Sequence, residues 1–199
     1  VNEGTFTGDT SGMALPKPEE PPTTYAWFCL IVILFISIGN QWQRYTIAYA
    51  YAVGGDKDFK DDETYSIQKS YIELTPTIYG LLSGLAFTFS FSICGIFAGY
   101  VSDKTNRRIL MGSACILWST CTLLTGLINS FWWLFVLRFG LGIFESAFNP
   151  CAYSIISDLF APSYRTTANS VFNLGIYFGG ALASLSTLMI TSLGWRPTY

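Results

Sequence analysis

Three charged residues lie where a chain of this composition should carry none: Arg44, Arg138 and Glu145, each inside a long apolar stretch. A charge at the centre of a bilayer costs about 2.5–3.5 kcal/mol even on lenient insertion scales, so such residues face a partner or a wet cavity. Arg138, Gly142, Glu145 and Asn149 fall at i, i+4, i+7 and i+11, one face of a helix. Upstream, Ser37, Asn40, Arg44 and Tyr51 form a second stripe, broken by Ile47 and Ala48, and Asn169, Asn173, Tyr177 and Gly180 form a third. Three polar stripes on three helices imply one shared interior, across which Arg44 and Glu145 are natural partners. Two readings stay open: ion pairs and hydrogen bonds that fix helix packing, or a solute and coupling site. For Arg138, near the end of its stretch, snorkelling to the interface competes with either.

Catalysis is not among the readings. The chain has no His, which removes His-based triads, proton relays and metal sites. No nucleophile–base pair stands out. All five Cys (Cys29, Cys94, Cys115, Cys121, Cys151) fall in apolar stretches without CxxC spacing and read as small packing residues. We therefore expect no enzyme activity, no metal and no cofactor.

The elements that position these residues follow from composition. The chain is 51% hydrophobic and only 12% charged, against about 25% charged in a soluble domain. A spanning helix needs roughly 20 mostly apolar residues. Five stretches qualify, at about 25–53, 77–100, 109–128, 131–160 and 167–193, which makes the fold class an all-α membrane protein. Residues 1–24 read as a polar tail with no apolar centre, unlike a secretory signal. Thr75-Pro76 is a start signal, with Thr as N-cap and Pro at the first helical position. Asn129-Ser130 forces a tight hairpin, and Phe131-Trp132-Trp133 beside it suits an interfacial belt. Pro150 should kink the fourth helix just past its polar stripe. Gly175 and Gly179 form a GxxxG that lets the fifth helix approach a neighbour.

Net charge is −2 and there is no basic arm, which argues against nucleic acid as a partner. The expected partners are the bilayer and a small-molecule solute. Residues 54–74 form a long acidic loop, and residues 101–108 a short basic one. Lys17, Lys104, Arg107, Arg108 and Arg165 lie on one side of the membrane; Lys57, Lys60, Lys69 and Arg196 lie on the other. The charges packed tightly against two helix ends at 101–108 put that loop and the N-terminus in the cytoplasm.

The loop between the second and third helices reads Gly99-Tyr-Val-Ser-Asp103-Lys104-Thr-Asn-Arg107-Arg108. It resembles the signature loop of the major facilitator superfamily, with matches at Gly99, Asp103, Arg107 and Arg108, Lys104 for the middle Arg and Asn106 for the second Gly. Arg138 through Glu145 resembles the family's helix-four pattern. Asn40-Gln-Trp-Gln-Arg44-Tyr-Thr-Ile-Ala, Glu145-Ser-Ala-Phe, Ile156-Ser-Asp-Leu-Phe and Arg165 look most like the Spinster-type members, and Gly194-Trp195-Arg196 resembles the segment before helix six. The resemblance covers about residues 25–199. It implies the first five helices of a six-helix bundle, with Gly99, Asp103, Arg107 and Arg108 as a gating loop and Arg44, Glu145, Asn40, Arg138, Asn149 and Asn173 as candidates for solute binding and coupling. Where Spinster-like members have an Asp before the helix-one Arg, this chain has Gln43; proton coupling would then rest on Glu145 alone. The superfamily has twelve helices in two halves, so a C-terminal half or other membrane subunits would complete the unit. The expected function is secondary transport of a small organic or amphiphilic, anionic solute. The alternative is a truncated, transporter-like structural subunit of a larger membrane complex, without transport activity of its own.

Overall fold

The computed structural model describes residues 21–56, 58–59, 61–71 and 74–199. Most of the polar tail, Lys17, Lys57 and Lys60 fall outside them. Five helices are long and apolar enough to cross a membrane: Thr24–Gly54, Pro76–Lys104, Arg107–Leu127, Phe131–Leu159 and Pro162–Leu193. They are called the first to fifth spans below.

Local chemistry sets their ends. Thr23 caps the first span, its Oγ1 accepting from the Ala26 N–H at 3.2 Å, so the helix starts at Thr24, within the stretch assigned from sequence to the tail. Thr75 caps the second with Pro76 in the first turn, as the sequence signal indicates. Two loops are shorter than expected. The second span runs on through Lys104 and the third begins at Arg107, leaving Thr105 and Asn106 as the whole connection. Asn106 makes this possible by accepting from the Arg108 N–H at 3.1 Å. Pro162 takes the first helical position of the fifth span, where its missing N–H costs nothing, so residues 162–166 are helix rather than loop.

Inside two spans the α-helix is interrupted. The fourth divides at Ala147 into Phe131–Ser146 and Phe148–Leu159. Pro150 explains this: it cannot donate to the Ser146 carbonyl, and its ring crowds that carbonyl. The second span opens into a π-helical stretch at Leu81–Ala86, next to Gly80 and containing Gly84; side-chain pattern gives no warning of it.

Packing follows the glycines. A Cβ on Gly175 would lie 2.7 Å from Ser37 Oγ, and one on Gly179 would lie 2.5 Å from Gln41 Cβ. The fifth span therefore packs backbone-close along the first, which is its main neighbour. A Cβ on Gly142 would lie 2.0 Å from Ser90 Oγ, so the fourth span meets the second just as closely. The fourth span is the most buried of the five and touches all four others. The outer surface is apolar, with Phe28, Phe35, Phe97, Ile116, Trp132 and Leu188 exposed, a surface that only lipid or other protein can cover.

One end of this bundle is capped by the acidic loop. A short helix, Ile67–Ser70, starts at Ser66, which also donates to the Gly54 carbonyl at 3.1 Å. Trp195 is fully buried beneath the loop, donating from its indole to Ser70 Oγ at 3.1 Å and from its backbone to the Thr64 carbonyl. Tyr71 reaches the Ile128 carbonyl at 2.5 Å, and Arg196 satisfies the carbonyls of Gly126 and Ile128 at the end of the third span. Gly194 joins these parts with φ +94°, and a Cβ there would lie 2.7 Å from the Thr64 carbonyl. Gly194→Ala should cost about 1–3 kcal/mol through backbone strain alone. Thermal unfolding in detergent should show a lowered Tm; an unchanged Tm would mean the cap does not constrain this turn.

Candidate functional site

The fold brings Arg44 and Glu145 together. Arg44 lies two-thirds of the way along the first span, and Glu145 in the last turn before the break at Ala147. The guanidinium donates twice to Glu145 Oε2, from Nη2 at 2.7 Å and from Nε at 3.2 Å. Phe87 and Phe91 of the second span lie against the same guanidinium, with ring centroids 4.9 and 5.0 Å from Cζ. These faces carry negative quadrupole density and hold a cation that has left water. The Glu145 side chain is 1% exposed and that of Arg44 25%, so the carboxylate is sealed while its partner keeps an edge open.

Gln43 completes the group. Its Nε2 donates to Glu145 Oε1 at 2.5 Å, so both carboxylate oxygens are occupied. Its other end meets the Thr122 hydroxyl of the third span, whose single proton also faces the Trp118 carbonyl. Asn40 adjoins Glu145, one turn earlier on the first span; its Nδ2 is buried without a hydrogen-bond partner. Arg138, two turns before Glu145, is also buried: it does not snorkel to the interface but donates from Nη2 to the Tyr199 hydroxyl at 2.9 Å, while its Nε has no partner. Two guanidiniums therefore stand against one carboxylate.

A cavity of about 400 Å³ opens beside the group, lined by Gly39, Asn40 and Gln43 of the first span, Trp118, Ser119 and Thr122 of the third, and Tyr199. Its walls offer amide and hydroxyl hydrogen bonds and the aromatic side chains of Trp118 and Tyr199, the usual make-up of a site for an organic solute.

Two of the candidates named from sequence lie elsewhere. Asn149 is exposed beyond the break at Ala147. Asn173 accepts from Tyr153 of the fourth span at 3.0 Å and is not part of the group. The third polar stripe is thus not continuous with the other two: Asn169 Oδ1 is buried without a partner and Tyr177 points outward. Gly142 and Ser37, both counted in polar stripes, serve the close contacts with the second and fifth spans instead. Conversely, Gln43 and Thr122 were not among the candidates. Gln43 stands out in the sequence only as a departure from an Asp, and a Thr inside a span usually only back-bonds to its own helix, as Thr122 does to Trp118. Trp42 was missed as well; its indole donates to Ser186 of the fifth span at 2.7 Å.

At the opposite end from the cap lies the 99–108 segment. Gly99 has open space where a Cβ would be, and Asp103 is exposed with no cation at ion-pair distance among the described residues. Arg107 pairs with Asp158 at 2.5 Å, joining the third and fourth spans. Arg165 donates to the Phe160 and Ser157 carbonyls, closing the end of the fourth span. Arg108 is exposed.

A model of the Major Facilitator Superfamily matches residues 23–199. The chain belongs to the major facilitator superfamily. Within it, the chain is 31% identical over 157 residues to protein spinster of Drosophila melanogaster, covering 78% of this chain and 23% of that protein. It is 33% identical over 153 residues to the sphingosine-1-phosphate transporter SPNS2 of Danio rerio, covering 76% of this chain and 27% of that one. The crystal structure of a bacterial homolog to the human lysosomal transporter Spinster, inward-facing and occupied, superposes with a TM-score of 0.70 at 26% identity, over 88% of this chain and 37% of that chain. The chain thus spans about a quarter of the length of these curated relatives, and corresponds to the N-terminal part of a facilitator fold.

Proposed function

We propose that this chain supplies the N-terminal bundle of a secondary transporter for a small organic or amphiphilic anion. The observation that carries the reading is the charge balance of the interior: Arg44 and Arg138 against Glu145 leave one net positive charge buried among apolar helices. An uncompensated cation in such surroundings is costly, and an anionic solute group entering the cavity would offset it. Arg44 is the less buried of the two cations, with a quarter of its side chain open, beside a cavity whose wall is formed by its neighbours Asn40 and Gln43. The amides and hydroxyls of Asn40, Gln43, Ser119 and Thr122 would orient the rest of the polar group, with Trp118 against an apolar portion. The relatives named for sphingosine-1-phosphate fit an amphiphile of this kind.

Gly99, Asp103, Arg107 and Arg108 would act as the gate. The unfilled space over Gly99 and the unpaired Asp103 are what a second helical bundle would engage in one state and release in another. Lys104, Arg107, Arg108 and Arg165 gather at one end of the bundle, which supports a cytoplasmic position for that end and for the N-terminus.

The test is uptake into proteoliposomes holding the full-length protein, with radiolabelled sphingosine-1-phosphate as the first probe and small organic anions beside it. Uptake that saturates and is lost in Arg44→Ala is expected. No uptake of any anionic probe by folded protein would overturn the reading.

A further inference from the structure

Two cavities meet at one side chain. The first, of about 400 Å³, is the one beside Glu145. The second, of about 630 Å³, lies at the capped end and is lined by Leu127, Asn129 and Arg196 among others. Tyr199 is the residue common to the two linings, and it also borders a smaller space with Trp42, Thr46 and Thr198. One aromatic ring thus stands between the interior and the capped end of the bundle.

The short segment that carries the ring holds its backbone in place. Arg196 is anchored to the Gly126 and Ile128 carbonyls. Gly126 lets the segment lie directly on the third span: a Cβ there would come 2.9 Å from the Arg196 carbonyl oxygen and 3.3 Å from Tyr199 Cβ. Arg196–Thr198 form one 3-10 turn, with the Tyr199 N–H donating to the Arg196 carbonyl at 3.2 Å and the Thr198 hydroxyl to the Gly194 carbonyl at 2.9 Å. Motion of the ring is therefore rotation about its own side-chain bonds. One polar contact opposes that rotation: Arg138 donates from Nη2 to the Tyr199 hydroxyl at 2.9 Å, and its Cζ lies 5.9 Å from the ring centroid. Arg138 is 3% exposed and lines neither of the two cavities; the ring that does line them lies against its guanidinium.

We propose that Tyr199 is a gate between the solute cavity and the capped end, and that Arg138 is its latch. The gate's part in transport rests on the transport reading above; its motion does not. A phenol is neutral at working pH and offers the guanidinium a single oxygen. An anionic group arriving from the second cavity offers a paired charge and, as a carboxylate or phosphate, two oxygens that match the guanidinium fork. Such a group would take Arg138 from the phenol and free the ring, so that the solute opens its own way to the wall formed by Asn40 and Gln43. A neutral solute has no such means.

The experiment is labelling of Ser119→Cys, on the wall of the inner cavity, by a hydrophilic maleimide that does not enter through lipid. The protein is the full-length chain in lipid nanodiscs, with every other cysteine replaced. Labelling should be slow with Tyr199 and Arg138 in place and fastest in Tyr199→Ala. Tyr199→Phe and Arg138→Met cut the same bond. Each should speed labelling by about tenfold, the lower end of what a hydrogen bond to a charged group is worth, and the two together no further. Methyl phosphate should speed labelling while the latch is intact and leave Tyr199→Phe unchanged. A rate in Tyr199→Ala equal to that of the intact gate would overturn the proposal; if that variant does not fold, Tyr199→Phe, which keeps the ring, decides in the same way. Independent effects of the Phe and Met changes would overturn the latch, as would methyl phosphate that fails to speed labelling. No uptake is measured, so a protein that moves no anionic probe can still show the gate, and the two failures are told apart.

Discussion

Replacing Glu145 with Ala should be among the most damaging single substitutions in this chain, and replacing Arg44 as well should recover much of the loss. The pair is bonded by two N–H donors on one carboxylate oxygen and is held between four helices. Removing one partner of a buried pair leaves an uncompensated charge and costs about 3–5 kcal/mol; replacing both with apolar groups of similar size is often neutral. Arg44 keeps a quarter of its side chain open, so the lower end of that range applies to Glu145→Ala. A guanidinium cannot shed its proton to escape. The orphaned Arg44 would add to Arg138, leaving two interior cations with no buried acid among the described residues. The double variant Arg44→Met/Glu145→Leu should unfold within a few degrees of wild type, while Glu145→Ala alone unfolds clearly earlier. Additive effects of the two single changes in a double-mutant cycle would show that the pair is not coupled. Uptake separates stability from function: it should be lost in Glu145→Ala and also in the double variant that folds, because both remove the Arg44–Glu145 pair.

Much of this site is legible in the sequence because charge in an apolar run is expensive. Arg44, Arg138 and Glu145 announce themselves by cost alone, and helical spacing puts two of them on one face. The five spans are legible for the same reason, since about 20 apolar residues in a row have few other uses. Partner choice is harder to read. Spacing puts Asn149 in line with Glu145, but Pro150 breaks the helix at Ala147, and Asn149 ends up exposed beyond the break. Asn173 sits on a plausible stripe, yet Tyr153 takes its carbonyl. The glycines are misread in one direction: Gly142 looks like part of a polar lining and is a contact point between backbones. Gln43 is misread in the other. A residue that cannot titrate draws little attention in a search for chemistry, although its amide bridges Glu145 and the third span. The cap over Trp195 is also hidden, because a loop dominated by acids gives no periodic signal.

Gly142→Leu should disrupt the bundle more than any other glycine change, and the result would say whether the second and fourth spans are one rigid unit. A Cβ at this position would come within 2.0 Å of Ser90 Oγ, 2.6 Å of the Phe87 carbonyl and 3.1 Å of the Phe91 N–H. Two of those atoms are backbone and cannot rotate away. Ser90 cannot turn aside freely either, since its hydroxyl is tied to the Ala86 and Phe87 carbonyls at 2.9 and 3.0 Å. The helices must separate, and Phe87 and Phe91 move with the second span. These rings are the ones that flank Arg44, so a packing change one turn below Glu145 should reach the ion pair. Overpacking costs typically 1–3 kcal/mol and occasionally more; a backbone contact this close belongs at or above the upper end. Gly142→Ala, the smaller probe, should already lower the unfolding temperature in detergent and weaken uptake of an anionic probe. Gly84→Ala is the internal comparison. Gly84 lies on the same second span with open space around it, so the change should leave the unfolding temperature nearly unaltered. Equal effects at the two positions would mean that helix propensity, rather than the close approach at Gly142, governs both.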